Sequence, residues 1–394
     1  MIGGGPAGLR AAEVAATAGL RVGLFDAMPS AGRKLLVAGR GGLNLTHGED
    51  LAAFAGRYRG PDQPPEFWPR TLATFTPADL RAWAAGLGVE TFQAATGRVY
   101  PQSLKAAPLL RRWVARLRTL EVQLAMKHRW TSLAPGNPHR LGFANGTTVE
   151  TRAVLLALGG GSWPQTGSDG SWLPVLTGLG VACHPLAPAN CGWEHPWPAA
   201  VLAAAEGKPL KNLRVGSDGN WVSGEFLLTR YGLEGGAIYQ LGHILRAMPR
   251  PELVIDFKPA HSEAQLVAKL ATTRRNLLAT ATQAWRLSEA AHAILARQSW
   301  DDPAALARET KHCVIPLRGP RPLAEAISSA GGVCWRELDD HLMLTRLPGV
   351  FVAGEMIDWE APTGGYLLHG CLATATRAAQ GAADWLRHPG PPHY

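Results

Sequence analysis

Gly3, Gly5 and Gly8 stand in the spacing G-x-G-x-x-G, and that spacing has a chemical use. The first glycine permits a tight turn, and the second lets backbone come close to a pyrophosphate. The third lets a helix pack tightly on a strand, while the helix start offers free N–H groups and the positive end of its dipole to phosphate. The loop Gly3-Gly4-Gly5-Pro6-Ala7-Gly8 runs into Leu9 to Ala18, an alanine-rich stretch of good helix propensity. Arg21 to Asp26 then reads as a short buried strand. Asp26 lies eighteen residues after Gly8, where an acid accepts hydrogen bonds from the ribose hydroxyls of a dinucleotide. In a chain with 45 glycines the loop alone says little; followed by helix, strand and acid, it predicts a dinucleotide site.

Two further segments carry suitable groups. Ala31 to Thr46 holds the cations Arg33 and Lys34 and the amide of Asn44. Its glycines Gly39, Gly41 and Gly42 would let the chain pass close to a flat ring or a phosphate. Gly349 to Tyr366 reads as a strand running into Gly354-Glu355, after which Gly364-Gly365 opens the last helix. The N-terminus of that helix would stabilise negative charge on the N1/O2 edge of a reduced flavin. Tyr366 and His369 stand at i and i+3 and share a helix face, so both are candidate catalytic proton donors to a substrate. Lys34 and Arg98 are alternative cations for an acidic substrate or the cofactor. Glu355 and Asp358 read as ribityl-chain or supporting contacts before acid–base groups, and Trp163, Trp172, Trp193 and Trp197 read as core.

The elements that must hold these groups are α/β at both ends. Pro77 to Gly86 and Ala106 to Leu120 read as helices, Val122 to Met126 and Thr148 to Ala157 as strands, and 27–50 as an extended loop. Prolines near 185 mark a change of composition. Residues 1–185 and 322–394 are expected to form one dinucleotide-binding domain. Between them come a β-rich insert (186–261), a helical insert (262–312) and a return strand (313–321). No second strand–G-x-G-x-x-G–helix unit occurs in 60–350. Direct reduction by NADH or NADPH is therefore expected to be slow, with electrons coming from a redox partner protein or a transiently bound NAD(P)H.

Composition excludes other classes. Hydrophobic residues make up 46% and charged residues 18%, as in a folded globular protein. No run approaches the roughly 18 apolar residues of a membrane helix, and no secretory signal is visible; the expectation is a cytoplasmic protein without a membrane partner. The net charge of +8 is spread in singles and pairs such as Arg111-Arg112 and Arg274-Arg275, which argues against nucleic acid as a partner. Cys183, Cys191, Cys313, Cys334 and Cys371 form no C-x-x-C pair and no zinc spacing, so neither a metal nor disulfide redox chemistry is expected. Only Met1 and Ile2 precede Gly3. A strand feeding this turn is central in the sheet and usually about five or six residues long, so the sequence predicts further apolar residues upstream.

The strings GRKLLVAGRGGLNLTH, GRVYPQSLKAAPLLR, LALGGGSWPQTGSDG, EAISSAGGV and VAGEMIDWEAPTGGYLL resemble the BaiN/YhiN-like flavoproteins. That family is also described as aminoacetone-oxidase-family FAD-binding enzymes or NAD(P)/FAD-dependent oxidoreductases. The resemblance covers nearly the whole chain. It implies an FAD-binding Rossmann-like domain built from both chain ends, with a β-barrel-like insert and a small helical insert. It places FAD contacts on Gly3, Gly5, Pro6, Ala7, Gly8, Asp26, Arg33, Lys34, Gly41, Gly42 and Asn44. Further contacts fall on Gly159, Gly354, Glu355, Gly364, Gly365 and Tyr366. Asp26 stands where glutamate is usual, Leu43 where cysteine is, and Leu367 and Leu368 where polar residues follow G-G-Y, which marks a distinct branch. The expected reaction is hydride transfer to or from a small organic substrate, such as an unsaturated carbonyl compound or an amine. The alternative is a flavoprotein of tRNA modification, or a flavin-bound scaffold without turnover.

Overall fold

A computed structural model describes residues 1–38, 41–273 and 275–388. It divides into two units, 1–187 with 327–394, and 188–326.

The first unit is built on parallel strands from distant parts of the chain. Gly23–Asp26 pairs in parallel with Gln123–Met126, and Val350–Val352 with Val154–Leu156. The start of the chain lies between these pairs, where Ile2 bridges both Phe25 and Leu156. Ile2 N donates to Leu155 O at 2.9 Å and Ala157 N to Ile2 O at 2.8 Å, while on the other side Phe25 N donates to Met1 O at 2.9 Å and Gly3 N to Phe25 O at 2.8 Å. Two residues thus supply both neighbours with backbone partners over their own length. Val154–Leu156 and Val350–Val352 are wholly apolar and buried, as expected where both faces are covered, whereas the outer strand Gln123–Met126 is partly exposed.

The helix Pro6–Thr17 begins at Gly5 with a proline in its first turn, and the last helix runs Tyr366–Arg387. The two pack together, and each buries small residues, Ala11, Ala12 and Ala15 on the first and Ala375, Ala378 and Ala379 on the last. Alanine at such a contact lets helix axes approach closely. Strand Thr148 to Ala157 proves to be two elements: Thr148–Thr151 closes an antiparallel meander with Trp130–Ala134 and His139–Phe143, and Val154–Leu156 enters the parallel sheet. Within the expected loop 27–50 the structure has a helix, Arg33–Ala38, anchored by buried Leu35. The glycines around it hid that helix. Gly39 and Arg274 lie outside the described residues.

The second unit holds one antiparallel sheet in the order 193–194, 232–234, 220–229, 209–217, 252–256, 313–316. Beyond its last strand, Glu194 N donates to Gly319 O and Arg321 N to Gly192 O, both at 2.8 Å. The sheet therefore curls back towards its own first strand as a half-barrel. Helix Gly236–Ala247 buries Ile238, Leu241 and Leu245 in the same core. Four helices follow among the described residues between 263 and 311. No helix among the described residues is long and apolar enough to cross a membrane, and no cluster of three or more His, Cys, Asp or Glu among them could hold a metal.

Candidate functional site

The glycine loop shows three different surroundings. Gly3 has φ +100°, and a Cβ there would lie 2.3 Å from Ala157 O. A Cβ on Gly8 would lie 1.8 Å from Gly3 O, whereas one on Gly5 would meet nothing within 4 Å. Gly3 and Gly8 are therefore closed in by protein, and Gly5 faces an open groove. Asp26 is tied to the same loop: its Oδ2 accepts from Gly4 N at 2.5 Å and its Oδ1 from Met28 N at 2.7 Å. Burial pushes this carboxyl up from its ordinary value, while the two N–H donors pull it back down. A carboxylate offers about four lone-pair sites, so two remain for hydroxyl donors. Loop geometry, an open Gly5 and a spare carboxylate face together fit a dinucleotide.

The groove continues past Gly3–Ala7 and Asp26 to Arg33, Lys34, Arg129, Gly159, Glu355 and Cys371. Lys34 Nζ bonds to Ser162 Oγ at 2.6 Å and to Glu355 Oε2 at 2.8 Å. Glu355 Oε1 accepts from Ser329 N at 2.7 Å. The sequence offers Lys34 and Glu355 as separate contacts, and the structure makes them one ion pair. Gly159 is fixed through its carbonyl, which accepts from Trp172 Nε1 at 2.8 Å. Arg129, ion-paired to Asp169 at 2.6 Å, is a groove residue that no motif of the sequence points to. Cys371 stays a thiol, since burial raises it to about 12. Arg33 Nη1 donates to Ser30 Oγ at 3.3 Å.

A second group gathers around the start of the last helix. Gly365 has φ +108° and its Cβ would lie 2.5 Å from Thr46 backbone, so this turn is pressed onto the segment that carries Gly41, Gly42 and Asn44. Asn44 Oδ1 is buried, and among the described residues it has no hydrogen-bond partner. An orphaned buried acceptor costs about 1–3 kcal/mol unless a ligand N–H fills it, which again fits a ring with polar edges.

Tyr366 and His369 do not provide a free proton. Tyr366 is 5% exposed, and its hydroxyl donates to Glu49 Oε1 at 2.7 Å. Arg57 grips that carboxylate at 3.0 and 2.7 Å and holds it below the usual carboxylate range. Burial, and then Glu49, push the Tyr366 hydroxyl upward. His369 is fully buried. Its Nε2 donates to Phe75 O at 2.8 Å, which leaves Nδ1 to accept from Thr46 Oγ1 at 2.8 Å. Burial lowers it to about 4, so the ring is neutral and both nitrogens are used. The shared helix face is real, but it faces the core.

Asp358 is likewise committed, to His184 Nδ1 at 2.5 Å and Gly331 N at 3.1 Å. Trp172, Trp193 and Trp197 are buried core residues.

Comparison with known proteins agrees with this geometry. The HI0933-like protein Rossmann domain family matches residues 1–381. The chain is 28% identical over 415 residues to a 3-dehydro-bile acid delta(4,6)-reductase of Clostridium scindens, with 98% of each chain covered. It is 24% identical over 393 residues to a ribosomal RNA dihydrouridine synthase of Escherichia coli, with 96% of each covered. In fold it is similar, with a TM-score of 0.53 at 16% identity, to a 3-ketosteroid-delta4-(5alpha)-dehydrogenase of Rhodococcus jostii; 97% of this chain and 95% of that one are covered.

Proposed function

The chain belongs to the HI0933-like Rossmann-domain family, and from that premise we propose that it is an FAD-dependent oxidoreductase that reduces a carbon–carbon double bond conjugated to a carbonyl. The coarser part rests on an FAD-binding oxidoreductase fold that spans nearly the whole chain. The observation that carries the cofactor is the glycine loop, in which protein encloses Gly3 and Gly8 while Gly5 alone is open and Asp26 is bonded to the same turn. FAD, when bound, would supply the hydride. Gly5, Pro6 and the helix start hold the pyrophosphate, and Asp26 holds the ribose. Lys34 and Glu355, already paired with each other, line the middle of the groove. Gly41, Gly42, Asn44, Gly364, Gly365 and Tyr366 form the ring end, with Asn44 Oδ1 accepting an N–H.

The substrate class is supported by the two curated relatives. One is named for reducing a 3-dehydro bile acid at delta(4,6), the other for forming dihydrouridine in ribosomal RNA. The second name supports a rival in which the substrate is an RNA base. Lys105, Arg111, Arg112 and Arg118, exposed on or beside helix Ala106–Thr119, are the cations that reading would use, and it requires RNA binding that weakens steeply with salt. Electrons would come from a redox partner or a transiently bound NAD(P)H.

The test is direct. The protein should purify yellow and release a flavin with the mass of FAD on denaturation. Its reduced form should be reoxidised anaerobically by small unsaturated ketones. A folded, colourless protein that takes up no added FAD would overturn the cofactor, and failure with every unsaturated carbonyl, RNA included, would overturn the substrate class. Asp26→Ala should weaken FAD binding by about 1.5–3 kcal/mol, the usual worth of hydrogen bonds to a charged group. Titration of cofactor-free protein with FAD measures it, and an unchanged Kd would remove the acid from the site.

A further inference from the structure

Among the described residues, one cation at the ring end has no counter-charge. Arg98 opens the strand Arg98–Pro101, directly across from His47. A Cβ on Gly364 would lie 3.5 Å from Arg98 Nε, so the side chain runs along the turn that starts the last helix. His47 beside it stacks on Tyr366 with ring centroids 5.3 Å apart. Arg98 is half-buried, and among the described residues its guanidinium makes no ion pair and no hydrogen bond. The acid in this cluster is already taken, since Glu49 is gripped by Arg57 and bonded by Tyr366. A guanidinium stays charged at any working pH. Holding it partly out of water without a partner costs stability, and proteins keep such a cost at sites where a ligand brings the missing charge.

We propose that Arg98 is the counter-charge for the negative charge a flavin acquires at its N1–C2=O edge on reduction, an inference that rests on the FAD reading above. A hydride accepted from the transiently bound NAD(P)H named above would leave a neutral ring with one negative charge, and no proton need leave the arginine. Arg98 is thus a charge-stabilising residue rather than an acid. Its placement at the Gly364-Gly365 turn, and not along the pyrophosphate groove, gives it that end of the cofactor.

The test compares Arg98→Met, which keeps length and removes charge, with Arg98→Lys, which keeps the charge. Both variants should load FAD to wild-type stoichiometry. In Arg98→Met the reduction equilibrium should shift about tenfold against the reduced form, a fall of about 30 mV for a two-electron couple, read by equilibration with redox dyes. Arg98→Lys should recover most of it. The cofactor-free Met variant should melt at or above the wild-type temperature, because no ion pair or hydrogen bond among the described residues is lost. A fully loaded Met variant with an unmoved potential overturns the proposal alone, as do equal falls in melting temperature for both cofactor-free variants. Wild-type protein that takes up no FAD overturns the reading beneath it as well.

Discussion

Gly8→Ala is expected to abolish measurable FAD binding and to lower the melting temperature, while Gly5→Ala is expected to weaken FAD binding alone. The two glycines are three residues apart and belong to one loop, yet their surroundings differ completely. A Cβ on Gly8 would sit 1.8 Å from Gly3 O and 3.0 Å from Gly3 C, both backbone atoms that no rotamer change can move. The helix would have to back away from the turn, and overpacking of this kind costs about 1–3 kcal/mol or more. The turn also shapes the N–H groups that meet phosphate, so FAD affinity should fall at least about 100-fold. Gly5 has φ −75° and ψ −178°, which alanine adopts freely, and its Cβ would project into open groove. Only a ligand pyrophosphate would collide with it. Gly5→Ala should leave the cofactor-free melting temperature within about 1 °C and weaken FAD roughly 10- to 100-fold. Calorimetric titration and thermal melts on both variants decide it. Wild-type FAD affinity in Gly5→Ala would mean that the pyrophosphate does not lie there.

The largest effect on stability is expected at Glu13, in the first helix and 5% exposed. Its Oε2 accepts from Trp83 Nε1 at 2.9 Å, Trp113 Nε1 at 3.0 Å and Arg10 Nη1 at 3.3 Å, and its Oε1 accepts from Arg116 Nη1 at 3.0 Å. One carboxylate thus satisfies two indoles and two guanidiniums drawn from three helices. Removing one partner of a buried charged network leaves the others desolvated and unpaired, at a cost of about 3–5 kcal/mol. Glu13→Ala should therefore lower the melting temperature by roughly 6–15 °C. Glu13→Gln, which keeps an acceptor for the indoles, should lose less. A denaturant titration showing a loss under about 1 kcal/mol for Glu13→Ala would refute the network's role.

The glycine loop, its helix and the strand ending at Asp26 were legible because their signals are local: spacing, alanine content and a short apolar run. The inward face of the last helix was not. Tyr366 and His369 read as a catalytic pair from i, i+3 spacing, but spacing says which residues share a face and not what that face meets. No residue of this helix from Tyr366 to Ala379 is exposed, so its polar stripe, which begins at Arg377, gave no cue to what the face of Tyr366 and His369 meets. The Lys34–Glu355 pair spans 321 positions, and the Glu13 partners Trp83 and Trp113 lie 70 and 100 positions away. No local pattern encodes such meetings. The half-barrel was legible as a β-rich stretch, but its strand order, with 209–217 between 220–229 and 252–256, depends on long-range pairing.

The parallel sheet woven from distant strands has a consequence for the order of events on the ribosome. Residues 1–2 lie between strands from 23–26 and 154–156, and 154–156 pairs in turn with 350–352. The helix that packs on them, Tyr366–Arg387, emerges after all of these strands. The first unit therefore stays incomplete through most of translation, its early strands waiting for a partner made some 200 residues later, and loop closure over such a separation is slow. The unit 188–326 comes from one continuous stretch and can finish while synthesis continues. Stalled nascent chains should show protease resistance in 188–326 before 1–187, and the opposite order would contradict this. Until the last helix leaves the ribosome tunnel, the glycine loop has neither a finished sheet beneath it nor a closing helix beside it, so cofactor loading is expected to follow the synthesis of that helix.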